Sequence, residues 1–314
     1  MTAYIFRRVL LMIPAILLVT IFVFAIMRAI PGDPASVQLG DDATLEDVRA
    51  LKEQLGLDKP FLTQYVVWLQ HILRGDLGNS FITHRPVMTD FRSHLPASVE
   101  LGSMAVVLSL CLALPLGVLS AIRAGSSVDY VSRIVAVAGI AVPGFVAATI
   151  LFVMPSVWFG WSPPIPYTEV WEDPLKNVQQ LILPAISTAF LLQAITARLT
   201  RSTLLNVMRD DYVRTAFAKG LRERAVVIRH ALRNALIPVV TVVGNQVPVL
   251  ISGLVISETV FDIPGMGTLL FSALSTRDYP IIQAVLLMMS IVVLAVNLLV
   301  DLSYVVLDPR VRLR

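Results

Sequence analysis

"VLLMIPAILLVTIFVFAIMRAI", residues 9–30, decides the fold: apart from Thr20 and Arg28, every side chain in it is apolar or proline. A hydrocarbon layer about 30 Å thick is crossed by roughly 20 apolar residues at helical rise, so this run predicts a membrane-spanning helix. Arg7 and Arg8 precede it. Its apolar core is longer than that of a cleavable signal, and no small-x-small site follows, so it reads as a retained anchor.

The rest of the chain has the same character. Of its 314 residues 56% are hydrophobic and 15% charged, with a mean hydropathy of +0.76, against about 25% charged in a soluble domain. Further apolar runs lie at 101–122, 134–159, 181–197, 235–256 and 280–300. They predict an all-α integral membrane protein with six transmembrane helices.

Basic residues set the orientation. With the N-terminus inside, the inner segments are Arg7 and Arg8, 123–133, 198–233 and the tail "DPRVRLR". Together they hold sixteen of the 25 basic residues and five of the 22 acidic ones. Both termini are therefore expected in the cytoplasm. The net charge of +3 is a topology signal; no groove-reading motif with interleaved aromatics accompanies it, so no nucleic-acid partner is expected. Cys111 stands alone inside an apolar run, which rules out an internal disulfide and predicts a small core residue.

Four segments follow: an anchor helix (1–30), an extracytoplasmic segment (31–97), a core of five spans (98–306) and a tail (307–314). Within 31–97, "TLEDVRALKEQLGLDKPFLTQYVVWLQHIL" repeats its apolar residues at three and four, predicting a small outer helical segment. Pro143, Gly144 and Pro248 fall inside spans, where they either kink helices for packing or locally open them along a pathway. Asn245 and Gln246, side by side in the fifth apolar run, join Pro143 and Pro248 as candidate path residues.

Catalytic chemistry is not legible. The four histidines are scattered, and there is no H-E-x-x-H, G-x-S-x-G or P-loop motif, so no catalytic or metal-binding residue is assigned and no cofactor is expected in this chain. Arg28, Glu100, Glu258 and Asp301 lie near the ends of apolar runs, where a charge reaches water. The expected span interiors are uncharged, which places the energy source outside this chain.

The densest charge run, "DDYVRTAFAKGLRERAVVIRHALRN" (residues 210–234), keeps helical spacing. Val213, Phe217, Leu221, Ala225, Ile228 and Leu232 form one apolar stripe if the helix is continuous. Asp210 and Asp211 suit a helix N-terminus and Gly220 a C′ position, so a short helix, a turn and a second helix are expected. An interfacial helix lying on anionic headgroups fits the same composition.

"YVRTAFAKGL" followed by "RHALRNALIPVVT" resembles the cytoplasmic signature loop of permease subunits in binding-protein-dependent ABC importers, in the dipeptide/oligopeptide permease family. Arg214-Thr215-Ala216 stands where the broader motif has Glu-Ala-Ala, and Pro238 lies farther beyond the glycine; both departures are similar to the peptide-transporting branch. "IPGDP", "LGLDKPFLTQYVVWL", "RGDLGNSFITHRPV", "ETVFDIPGMGTLL", "RDYPIIQAVLLM" and "DLSYVVLDPRVR" extend the resemblance along nearly the whole chain.

The resemblance implies a type I ABC importer permease fold in a prokaryotic plasma (inner) membrane. It implies a related permease as heterodimer partner, two ATP-binding subunits that hold ATP and Mg, and an extracytoplasmic solute-binding protein. The loop 199–234 would carry a coupling helix of Asp211, Tyr212, Val213, Arg214, Thr215, Ala216, Phe217, Lys219, Gly220 and Leu221, with Phe217 and Leu221 as anchors. Glu258 and Asp262, placed by sequence at the outer surface, are candidate contacts for the binding protein or for the cationic end of a peptide, or ordinary solvated acids. The implied cargo is a di- or oligopeptide; nickel chelates, glutathione or oligosaccharides are alternatives within the family, and a proton-coupled carrier is the alternative of another class.

Overall fold

The structure, a computed structural model, describes residues 2–29, 34–39, 43–54 and 56–307. The sequence motif "IPGDP" and the basic tail fall almost entirely outside these residues. The described residues form helices and no strand, as the apolar runs require: a backbone in lipid must satisfy its own N–H and C=O groups.

In chain order the helices are α1 (Thr2–Ala29), α2 (Pro34–Leu39), α3 (Leu45–Gln54), α4 (Phe61–Leu73), α5 (Val87–Ile122), α6 (Ser127–Ala141), α7 (Gly144–Phe159) and α8 (Pro174–Val207). Then come α9 (Asp211–Ala218), α10 (Glu223–Ala225), a π-helical turn at Val226–Ala231, α11 (Leu232–Asn245), α12 (Val247–Phe261), α13 (Met266–Thr276) and α14 (Tyr279–Leu307). Among the described residues five helices are long and apolar enough to cross a membrane, and up to seven crossings result if each of two bent helix pairs counts as one. Of the six expected spans, four coincide with α1, α5, α8 and α14 and one with the bent pair α6–α7; the run 235–256 falls across α11, which ends the candidate span Glu223–Asn245, and α12, which is bent against α13 by 78°.

Two spans that read as continuous in sequence are broken. The run 134–159 is α6 and α7, bent by 102°. Val142 is extended there (φ −87, ψ 119), because a residue before proline is pushed out of the helical region, and Pro143 has no N–H with which to continue the ladder. The run 235–256 changes from α11 to α12 at Gln246 (φ −83, ψ −2), where Pro248 leaves the Gly244 carbonyl without its helical donor.

The chain divides into two compact units, one of Ala97–Ile263 with the chain from Val296 onward, the other of Thr2–Pro96 with Pro264–Ala295. In the second, Met27, Val87, Phe91, Met266, Tyr279 and Val285 share a core. The stretch expected to form the outer helical segment gives two helices there, α3 and α4. Phe24 of α1 stacks against Phe61, Tyr65 and Trp68 of α4 with ring centroids 5.2–5.6 Å apart, and the Thr20 and Tyr65 hydroxyls are 2.8 Å apart. Buried Asp278 accepts from the Ser80 hydroxyl and from the Phe81 N–H, pinning the turn that precedes α5.

In the first unit α8 is the hub, packed against α6, α7, α11 and α12. Small residues permit the close approach, as expected between helices in lipid. A Cβ on Gly117 would sit 2.6 Å from Thr200 Cβ and 2.7 Å from the Ala197 carbonyl oxygen, and one on Gly139 would collide with the Phe190 carbonyl oxygen.

Candidate functional site

The loop following α8 builds a short, well-terminated helix. Asp210 is the N-cap residue, with extended backbone (φ −68, ψ 146) and no side-chain cap bond. The Thr215 hydroxyl donates to the Asp211 carbonyl (2.8 Å). At the other end Gly220 takes φ +78; its N–H donates to Phe217 O (2.9 Å) and the Leu221 N–H to Ala216 O (3.4 Å). This pair of bonds is a Schellman stop, and it requires the left-handed backbone that glycine adopts without penalty.

The expected apolar stripe divides at this helix. Val213 (0% exposed) and Ala216 are buried against Leu204, Val226, Val227 and Ala235 of the same chain. Val213 is therefore a fixing residue and not a docking one, which corrects its place among the presented contacts. Phe217 and Leu221 are each 41% exposed and stand beside exposed Arg214 and Lys219. Tyr212 accepts from Asn234 Nδ2 through its hydroxyl (2.8 Å). The Arg214–Asp211 pair (3.7 Å) is exposed and contributes little. A helix held to its own protein on one face thus offers two large apolar side chains ringed by cations on the other, the anatomy of a docking patch.

Within the first unit, a groove of about 330 Å³ lies where α7, α8 and α12 meet, and Gly144, Ser187, Thr188, Pro248, Ser252 and Ser257 are among its lining residues. Ser257 Oγ is 2.8 Å from both Ser187 Oγ and Thr188 Oγ1, and the latter two also donate to the Pro184 carbonyl (2.8 and 3.1 Å). No charged residue lines the groove. Of the sequence-predicted path residues, Pro248 lines it directly, and Pro143 creates the break that brings Gly144 to it. Gln246 is buried elsewhere, donating to Thr196 Oγ1 (2.9 Å), and Asn245 is exposed; neither lines the groove.

Glu258 departs from its expected place. It is 0% exposed and accepts a 2.5 Å hydrogen bond from the Ser98 hydroxyl. A fully enclosed carboxylate cannot be a surface contact for a binding protein, nor does it reach water at a span end, so both readings of it are corrected. It also corrects the expectation of spans free of buried acids. Asp262 is exposed, in a left-handed conformation (φ +54) that ends α12. Cys111 is exposed, against its expected core role. No group of three metal-ligating side chains occurs among the described residues.

Sequence reading missed Asp129. Its side chain is 2% exposed and receives Arg201 through Nε and Nη2 (both 2.9 Å), Arg133 Nε at 3.3 Å, the Ser120 hydroxyl at 2.5 Å and the Gly125 N–H at 3.0 Å. The local signal was Ser126, whose hydroxyl caps α6 through the Asp129 N–H (3.5 Å); the partner on α8, 72 residues away, left none. Asp129→Ala strands two guanidinium groups. The expected loss is about 3 kcal/mol, at the low end for a broken buried pair because Arg201 keeps 25% exposure. Thermal unfolding of the purified protein checks it.

A second carboxylate orders the loop between α7 and α8. Glu100 accepts from the Tyr167 hydroxyl and Asn177 Nδ2 (each 2.6 Å), while Gln180 Nε2 donates to the Pro164 and Pro166 carbonyls (2.8 and 2.5 Å). Burial, reinforced by the hydrogen bond to Glu100, pushes the Tyr167 phenol well above its usual range.

Residues 113–313 match the family model described as "Binding-protein-dependent transport system inner membrane component", and residues 1–102 match that of its N-terminal part. The dipeptide transport system permease protein DppB of Alkalihalophilus pseudofirmus is 37% identical, the match covering 99% of this chain and 100% of that one. A probable peptide ABC transporter permease protein, y4tP of Sinorhizobium fredii, is 39% identical over 99% and 100%, and the DppB of Escherichia coli 37% over 99% and 99%. Among solved structures, an amino acid ABC transporter crystallised with histidines matches in fold, with a TM-score of 0.52 at 14% identity, over 68% of this chain and 92% of that one.

Proposed function

Because this chain belongs to the inner-membrane components of binding-protein-dependent transport systems, we propose that it is the permease subunit of a peptide importer and that α9 is its coupling helix. The cargo follows from its relatives, dipeptide and peptide permeases across nearly their full length. The observation that carries the coupling role is the division at α9: Val213 and Ala216 are locked into this chain while Phe217 and Leu221 are presented.

In this reading two partner ATPase subunits bind ATP and Mg, and each docks one permease. Closure of the ATPases on ATP pushes α9 as a rigid piece, because its buried face ties it to α8 and to the π-helical turn leading into α11. A second, related permease completes the pathway, and an extracytoplasmic binding protein delivers the peptide. Both termini lie in the cytoplasm, with α9 on the same side. The groove at α7, α8 and α12 receives the peptide: the exposed Ser252 hydroxyl hydrogen-bonds to main-chain amides common to all peptides, and the groove's lack of charge discriminates little among side chains.

Ser252 lines the groove and is exposed, so a large side chain there obstructs the groove without disturbing the core. Ser252→Trp is expected to lower uptake of a labelled dipeptide by about tenfold or more, a bulky indole occupying much of the space, while the complex still assembles with its ATPases. Unchanged uptake at equal abundance places the path elsewhere. Competition by unlabelled peptides, but not by nickel chelates, glutathione or oligosaccharides, separates the proposed cargo from the family alternatives.

A further inference from the structure

A second cavity, of about 360 Å³, lies between α5, α6 and α8, outside the groove and outside α9. Its lining has two chemically different ends. Arg133, Arg198 and Arg201 stand at one, with Ser132 beside them; Val137 and Ile140 stand at the other. Seven residues of α6 separate Arg133 from Ile140, about 10 Å at helical rise, so the polar and apolar ends are separated along the helix.

The charge at the polar end is unbalanced. Three guanidinium groups face one carboxylate: Asp129 binds Arg201 and Arg133, and Arg198 is exposed and has no hydrogen-bond or ion-pair partner among the described residues. On the three helices that line the cavity Asp129 is the one acid close to these arginines: α8 contains none, and the acids of α5, Asp90 and Glu100, lie well over ten residues before its cavity-lining segment. Three cations beside hydrocarbon repel one another unless an anion joins them. Tyr130, 57% exposed, supports the Arg133 guanidinium on its ring at 4.6 Å, the arrangement of an aromatic side chain at headgroup depth. Val137 and Ile140 are 59% and 49% exposed.

We propose that this cavity binds an anionic phospholipid, the phosphate held by Arg198 with Arg133 and Arg201 and the beginning of an acyl chain lying along Val137 and Ile140. A free phosphate fills only the polar end; the apolar end favours the lipid. In the orientation proposed above, the lipid belongs to the cytoplasmic leaflet, where basic pockets between helices recognise anionic headgroups. It sits on α8 between the Gly139 contact and the α9 loop, joined by the Asp129 network to the segment that carries the coupling helix.

The test measures lipid retention by the detergent-purified transporter complex, using native mass spectrometry with phosphatidylglycerol and phosphatidylcholine of matched chains. The detergent measurement does not depend on membrane orientation or on cargo, so its failure is separable from failure of the importer reading. Phosphatidylglycerol is expected to be retained preferentially. Arg198→Gln should weaken that preference about fivefold, the contribution of one basic side chain near a headgroup, whereas Arg123→Gln, outside the lining, leaves it unchanged. Val137→Trp, which fills the apolar end, should reduce retention with all three arginines intact. Equal retention of the two lipids overturns the proposal, as does indifference to both Arg198→Gln and Val137→Trp. Displacement of phosphatidylglycerol by millimolar inorganic phosphate assigns the site to a free anion and likewise overturns it.

Discussion

Phe217→Asp is expected to abolish peptide uptake and the coupling of ATP hydrolysis to transport, with the protein present in the membrane at normal abundance. Phe217 is 41% exposed and belongs to no buried cluster, so the substitution leaves the fold intact. Its cost appears only on docking, where a central aromatic anchor is worth about 2–4 kcal/mol and an unpaired carboxylate adds a desolvation penalty. That corresponds to a loss of roughly a hundredfold in subunit affinity or more. Val213→Asp makes the contrast: Val213 is 0% exposed, so this variant should disrupt the loop itself and reduce abundance. Gly220→Pro falls between them, since proline cannot take φ +78 or supply the N–H that Phe217 O accepts. Uptake assays normalised to immunodetected protein separate the three; normal uptake by Phe217→Asp removes α9 from the coupling role.

Gly139→Ala is expected to destabilise the protein strongly although it adds a single methyl group. The new Cβ meets the Phe190 carbonyl oxygen, a backbone atom of α8 that cannot rotate away, with Ala194 Cβ behind it at 3.1 Å. Helix α6 must then move off the hub helix, and overpacking of this kind costs about 3 kcal/mol or more. Gly102→Ala is the matched control. Its Cβ would approach Leu254 Cδ1 at 3.2 Å, the end of a flexible side chain that can yield. Thermal unfolding of the two purified variants should show a large downward shift for the first and little change for the second; equal shifts would mean that the α6–α8 contact is looser than the structure shows.

The membrane helices were legible because lipid imposes one strong rule, and residues 9–30 satisfy it by length and apolarity alone. The break at Pro143 was also legible, since proline acts on its own helix. Its 102° extent was not, because the angle depends on where α8 and α12 hold the two halves. Glu258 shows the limit most clearly. Near the end of an apolar run, a glutamate can face water or protein, and sequence does not fix the rotation of the helix; Ser98, which donates to it, lies 160 positions away. Asp129 and Arg201 are hidden by the same non-locality. At α9 the periodicity gave Val213, Phe217 and Leu221 as one apolar stripe, but a stripe does not say which of its members the chain keeps for itself. Val213 and Phe217 are equivalent in spacing and opposite in burial.

The most direct test of the account is labelled dipeptide uptake in proteoliposomes that contain this permease with its partner permease and ATPases, with binding protein added on the opposite side from ATP. The account predicts uptake that requires ATP and the binding protein together, is lost with Phe217→Asp, and is unaffected by collapsing the proton gradient. Uptake driven by a proton gradient without ATP would contradict it.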